Sequence, residues 1–273
     1  MAAPGLPVLG GDKLPVGYKP VRRNGVLRGL AKYGGGRLDE KLISLVKQGR
    51  LSIPKEDIDT FQRIANVETG GLVQALNTWD STAVSIGFMQ WTLQHGKVQE
   101  WIGLVPGAFQ RFGIEADAGR KYKWTVKGKV TSEHTAIKGA ANKNELRWNG
   151  WAQRFYRAGL DDEIIVAEAG LAQKHLQRHL NGLKNALKNA SLYNTFMGHY
   201  GNSLQIRGVF QAAYNNRPAA AKAGTIAALK SAGAVSTEKF LKVLQDSILQ
   251  AYVDQDDNGS RIVSETRTGA RSA

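Results

Sequence analysis

The sequence predicts a mainly α protein with a small β insertion, and three observations carry that reading. Apolar residues recur at three- and four-residue spacing in stretches spread along the chain, the signature of helices with one buried face. A single stretch, 119–150, instead alternates cationic and apolar residues, as a half-buried strand or hairpin does. The composition supports a core: 42 % of the 273 residues are hydrophobic and 22 % charged, which excludes wholesale disorder. No apolar run approaches the roughly 18 residues of a spanning helix. Zero cysteines exclude a disulfide scaffold, Cys-based zinc sites and thiol catalysis.

Taken in order, residues 1–36 read as a flexible leader or linker. They hold Pro4, Pro7, Pro15 and Pro20, four of the seven prolines, and nine of the 31 glycines, a mixture that disfavours a regular ladder or a long helix. The first ten residues lack the basic start and long apolar stretch of a secretory signal. Leu38, Leu42, Leu45 and Val46 then mark a helix over 38–48, with Asp39 and Glu40 in its first turn and Gly49 as its stop. A second helix spans 55–68. Its face of Ile58, Phe61 and Ala65 continues at the same spacing into Glu68, just before Gly70-Gly71. An acid closing an apolar face either reaches solvent at the helix end or sits in a partly desolvated cleft with a raised pKa.

The 119–150 stretch holds Lys121-Tyr122-Lys123-Trp124-Thr125-Val126-Lys127. Its basic and aromatic mixture suits single-stranded nucleic acid, and is also the pattern of a strand with one solvated face. Asp161 and Asp162 open a helix carrying Leu176, Leu180, Leu183 and Leu187. His175 and His179 lie four apart on it, without the neighbouring Glu or third ligand of a zinc helix. Ile206, Val209, Phe210 and Ala213 form a short face leading into Tyr214-Asn215. Helical spacing continues over 225–230 and 236–252.

Three separated segments carry the chemical signal: Glu68-Thr69-Gly70-Gly71, then Ser81 followed by Gly87-Phe88-Met89-Gln90, then Ala213-Tyr214-Asn215. Together and in this order the chain resembles the soluble lytic transglycosylases and goose-type lysozymes. Those proteins show a Glu-Ser-Gly-like helix end, a Ser-x5-Gly-Leu-Met-Gln turn about twenty residues on, and a later Ala-Tyr-Asn. The resemblance covers roughly 53–252. It departs at Phe88, at Trp91-Thr92, at Asn216-Arg217-Pro218, and in the long gap from Gln90 to Ala213, where the basic stretch stands as an insertion. The resemblance implies a lysozyme-like α+β fold over 37–253: a two-lobed helical domain with an active-site cleft between the lobes.

It also implies a glycosidase acting on peptidoglycan. Glu68 would be the general acid protonating the glycosidic oxygen between N-acetylmuramic acid and N-acetylglucosamine, a role that needs a carboxyl still protonated near neutral pH. Ser81, Gly87, Met89, Gln90, Tyr214 and Asn215 would bind or position the sugar, and Thr92 would hold a water. Hydrolysis needs a second group, and Asp80 stands roughly where goose-type lysozymes carry an acid. Trp79-Asp80-Ser81-Thr82 reads equally as an Asx turn. With Asp80 as base the protein is a muramidase, which is the expectation; the alternative, without that base, is a lytic transglycosylase that closes a 1,6-anhydro ring.

The 254–273 tail matches the calcium-loop pattern, with Asp254, Asp256, Asn258 and Glu265 at the ligand positions and Gly259 at the turn. The segment reads either as a loop for a structural Ca2+ or as a solvated polar turn, and no cofactor is expected for the chemistry. The 37 Lys and Arg against 23 Asp and Glu give a net charge of +14, which favours an anionic partner such as the bacterial wall. A nucleic-acid-binding module needs neither a Glu closing a helix face nor the two later motifs, so nucleic acid is not the expected partner. An inactive lysozyme-like structural module is the remaining alternative. Without an export signal, such an enzyme would be made in the cytoplasm. It would reach the periplasm or wall of a target bacterium as a phage endolysin or secreted antibacterial effector, with a carrier protein and an immunity protein as partners.

Overall fold

A computed structural model describes residues 17–233 and 235–254. The protein is mostly helical with a small amount of sheet, as the periodicity requires. The elements begin with strands β1 (Lys19–Arg23) and β2 (Val26–Arg37) and helices α1 (Leu38–Lys47) and α2 (Lys55–Glu68). Strands β3 (Leu72–Asn77), β4 (Ser85–Ile86) and β5 (Trp91–Thr92) precede helices α3 (Lys97–Leu104) and α4 (Pro106–Gln110). The hairpin β6 (Ala116–Val126) and β7 (Lys129–Ile137) follows, then a 3-10 turn at Glu145–Arg147 and helices α5 (Asn149–Ala158) and α6 (Asp162–Leu187). Helices α7 (Ala190–Asn202), α8 (Leu204–Asn216), α9 (Pro218–Ala232) and α10 (Thr237–Asp254) complete the order.

Among the described residues these elements form two compact units, one of 17–51 and 72–169, the other of 52–71, 170–233 and 235–254. The first holds an antiparallel sheet in the order β1-β2-β3-β4-β5 and the separate β6–β7 ribbon. Its sheet buries Leu30, Val73, Ala75, Leu76 and Ile86, and α1 buries Leu38, Leu42 and Leu45, all essentially inaccessible to solvent. Trp101 is fully buried, lies edge-on to Phe109 and donates its indole N–H to the Ile164 carbonyl at 2.9 Å. The Asp161 carboxylate accepts the backbone N–H groups of Glu163 and Ile164, capping the start of α6 as its residue type predicts.

The reading of 1–36 as leader is corrected for residues 19–36, which form β1 and most of β2. Pro20 is tolerated because β1 is the edge of the sheet. Gly29 is required by close approach: a Cβ there would stand 2.5 Å from the Thr78 carbonyl oxygen. That approach lets Leu30 donate to the Thr78 hydroxyl at 2.8 Å and accept from the Thr78 N–H at 2.9 Å. A boundary at 36/37 therefore does not exist; the division falls at 51/52, 71/72 and within α6 at 169/170.

The second unit is built from α2, the later part of α6 and α7–α10. Its core gathers Leu180, Leu183, Phe196, Ile206, Phe210, Phe240, Leu244 and Ile248. Asn189 and Ser203 cap α7 and α8 by accepting the N–H groups of Leu192 and Ile206. Among the described residues no helix is long and apolar enough to cross a membrane.

Candidate functional site

In the second unit, the α2 face follows the expected spacing. Ile58, Phe61 and Ala65 are buried, joined by Ile64, and Glu68 is the last helical residue on that face. Glu68 is only partly accessible, and the Asn216 amide donates to its Oε1 at 2.7 Å. Removal of the carboxyl from water raises its pKa above the ordinary value; the hydrogen bonds from Asn216 and Asn215 oppose the rise without cancelling it. The last turn of α2 itself contributes no basic residue to the partial negative charge of the helix end. Glu68 is thus an acid held towards its protonated form, beside two amides that stabilise the anion once the proton leaves.

Tyr214 and Asn215 share the last two turns of α8. Asn215 turns to Glu68. Tyr214 is buried instead, stacked on His179 at 4.7 Å between ring centroids and packed against Phe210, so its ring belongs to the core of this unit. His179 hydrogen-bonds Gln211 at 2.7 Å, and the Gln211 amide donates to the Tyr200 hydroxyl at 2.8 Å. His179 thus belongs to a buried polar network, while His175 pairs with Arg178 at 3.1 Å. Among the described residues no group of three or more His, Cys, Asp or Glu is placed to hold a metal ion. Asp254 ends α10 and accepts from the Gln250 amide at 2.7 Å, while Asp256, Asn258 and Glu265 lie outside the described residues.

In the first unit, the Asp80 carboxylate closes an Asx turn. Its Oδ1 accepts the Thr82 N–H at 3.0 Å and the Thr82 hydroxyl, and its Oδ2 accepts from the Ser85 hydroxyl at 3.4 Å. Ser81 is exposed, and its carbonyl accepts the Trp124 indole N–H at 3.2 Å. The Thr92 hydroxyl pairs with Nδ1 of His95 at 2.7 Å. Burial and the neighbouring His134 lower the His95 pKa, against the pull of Asp80, so the ring is held towards its neutral form.

The 87–90 turn is fixed from within. Gln90 adopts a left-handed φ of 52°, accepts from Asn77 at 2.6 Å and donates to the carbonyls of Ala75 and Gly87, both at 3.0 Å. Its amide is fully engaged, so it shapes the turn. Met89 is fully buried, which places its side chain inside the unit and away from any open surface. Gly87 donates to Gln74 Oε1 at 2.8 Å, and its φ of 82° suits glycine. A Cβ on Gly87 would stand 2.1 Å from Oε1 of Glu168, a carboxyl with no solvent exposure.

Glu168 escaped the sequence reading. Its Oε1 accepts the Met89 N–H at 3.2 Å, and its buried Oε2 has no hydrogen-bond partner among the described residues. Burial drives its pKa well upward against the N–H groups of Met89 and Phe88. The signal was present: Ile164, Glu168 and Leu171 share one face of α6, the same acid-on-apolar-face pattern that singled out Glu68. Asn216 was noted only as a departure from the familiar motif.

Comparison with protein-family models, with curated proteins and with solved structures finds no match.

Proposed function

We propose that the protein cleaves a glycosidic bond by general acid catalysis from Glu68. Within that class, its substrate is peptidoglycan and the scissile bond is the β-1,4 link between N-acetylmuramic acid and N-acetylglucosamine. The observation that carries this reading is Glu68 itself, ending an apolar helix face with a raised pKa and with Asn215 and Asn216 on its carboxyl. A protonated Glu68 gives its proton to the leaving oxygen as the C–O bond breaks. The two amides then stabilise the carboxylate left behind. The partner motifs named in the sequence supply the resemblance to lysozymes and lytic transglycosylases, and the net charge of +14 suits an anionic wall.

In the muramidase form, a carboxylate base takes a proton from water as the water attacks the anomeric carbon. A specific observation favours the second form, in which the substrate's own hydroxyl closes a 1,6-anhydro ring: both Asp80 oxygens already accept hydrogen bonds from Thr82 and Ser85. Mass spectrometry of soluble products from purified peptidoglycan separates them. Reducing-end muropeptides that vanish with Glu68→Gln support the hydrolase; anhydro products that vanish support the transglycosylase. Absence of soluble product from the unaltered chain removes the glycosidase reading. A bacteriolytic role, delivered to the wall by a phage or a secretion carrier, belongs to this proposal and depends on that result.

A further inference from the structure

The far end of the β6–β7 ribbon has no part in the chemistry above. Its root is packed: Tyr122 and Trp124 are buried, and the Trp124 indole is tied to the Ser81 carbonyl. Beyond Trp124 every residue from 125 to 131 is exposed, and the strands reverse through a tight turn at Lys127 and Gly128. Val126 is 57 % and Val130 49 % exposed, the two most exposed large apolar side chains among the described residues. Val126 lies opposite Lys129, and Val130 opposite Thr125, so the valines occupy adjacent cross-strand pairs and point to opposite faces of the ribbon. Lys123 is paired with Glu133 at 3.1 Å, whereas no ion pair among the described residues involves Lys121, Lys127 or Lys129.

We infer that this ribbon tip docks on an anionic lipid surface, with Val126 and Val130 entering the acyl boundary and the ammonium groups of Lys127 and Lys129 reaching back along their flexible stems to the headgroup phosphates. The combination selects the partner. Lysines alone serve any polyanion, but valine offers no polar atom to a sugar and no flat face to a nucleic-acid base. Aliphatic side chains on both sides of a ribbon gain by leaving water only in a medium that surrounds them. Each lysine near an anionic bilayer contributes about fivefold in affinity, and the half-exposed valine pair contributes about tenfold between them. This inference is independent of the reading of Glu68.

The test uses the full chain and extruded vesicles of phosphatidylcholine, with or without phosphatidylglycerol, read by co-sedimentation. Binding is expected to the anionic vesicles alone. Lys127→Ser with Lys129→Ser should weaken it about 25-fold, and Val126→Ser with Val130→Ser about tenfold. The exposed pair Lys230→Ser with Lys239→Ser removes the same charge elsewhere and should lose far less. Because the chain contains no cysteine, Val126→Cys takes a single environment-sensitive dye, whose emission should shift to the blue on anionic vesicles. Equal losses from the two lysine pairs, valine variants that bind as tightly as the parent, or a dye that stays in water would each overturn the inference. So would failure of the parent chain to bind anionic vesicles.

Discussion

Two carboxyls, Glu68 and Glu168, share a cause and differ in consequence, because one reaches solvent and amides while the other is sealed. At Glu68 the Asn216 hydrogen bond favours the ionised form. Asn216→Ala removes it, so the pKa rises further and the alkaline limb of the pH–activity profile moves to higher pH; an unmoved limb would detach Asn216 from the acid. Glu168 acts on stability. Its folded pKa lies well above the ordinary value, so the unfolded chain releases the proton first as pH rises. Its stabilising contribution is complete below the unfolded pKa and is lost progressively as pH climbs to the folded one. Urea unfolding should therefore show the Glu168→Gln chain with a flatter pH dependence than the parent above pH ~4.5. Glu168→Ala, which strips the Met89 N–H of its acceptor and leaves a cavity, should cost about 2–4 kcal/mol at about pH 4, where the carboxyl is protonated in both states, and less as pH rises.

At the scale of elements, the β1–β2 hairpin gives the sharpest prediction. It presents Leu30 with no solvent exposure to the core of the first unit and pairs with β3 from Ala31–Asn77 to Arg37–Leu72. A chain beginning at residue 37 should lose about 4 kcal/mol and about 10 °C in Tm, from Leu30 burial and the lost ladder together; an unchanged melting curve would return this segment to the role of leader. The helices were legible because burial repeats at helical spacing: α1, α2 and the starts of α6 and α10 stand within two residues of their expected bounds. The hairpin was not, since local counting of Pro and Gly cannot see that Pro20 lies on an edge or that Gly29 meets Thr78. The short β4 and β5 were silent for the same reason, being two residues each and held by pairing. Of the site, Glu68 was readable from its own helix. The company of Asn216 and Glu168 depends on residues 148 and 79 positions from their partners.

The whole molecule adds a constraint that no local pattern contains: α2, early in the chain, belongs to the unit that holds the later part of α6 and α7–α10. The residue proposed as acid is thus fixed by packing against α8 and its neighbours, and a C-terminal fragment starting at 170 would lack it. The charge acts at the same scale. A net +14 on 273 residues produces a field that draws the protein to any polyanion, whatever its chemistry. If the wall is held by that field, retention must fall as salt compresses it, from a Debye length of about 10 Å at 0.1 M to about 3 Å at 1 M. The Glu68→Gln chain, unable to consume its substrate on this reading, isolates the binding step. Pelleted with purified sacculi, it should be retained at low ionic strength and released by about 1 M salt. Retention that persists at high salt would instead assign binding to sugar contacts, and the lysines would then be free to serve the lipid surface alone.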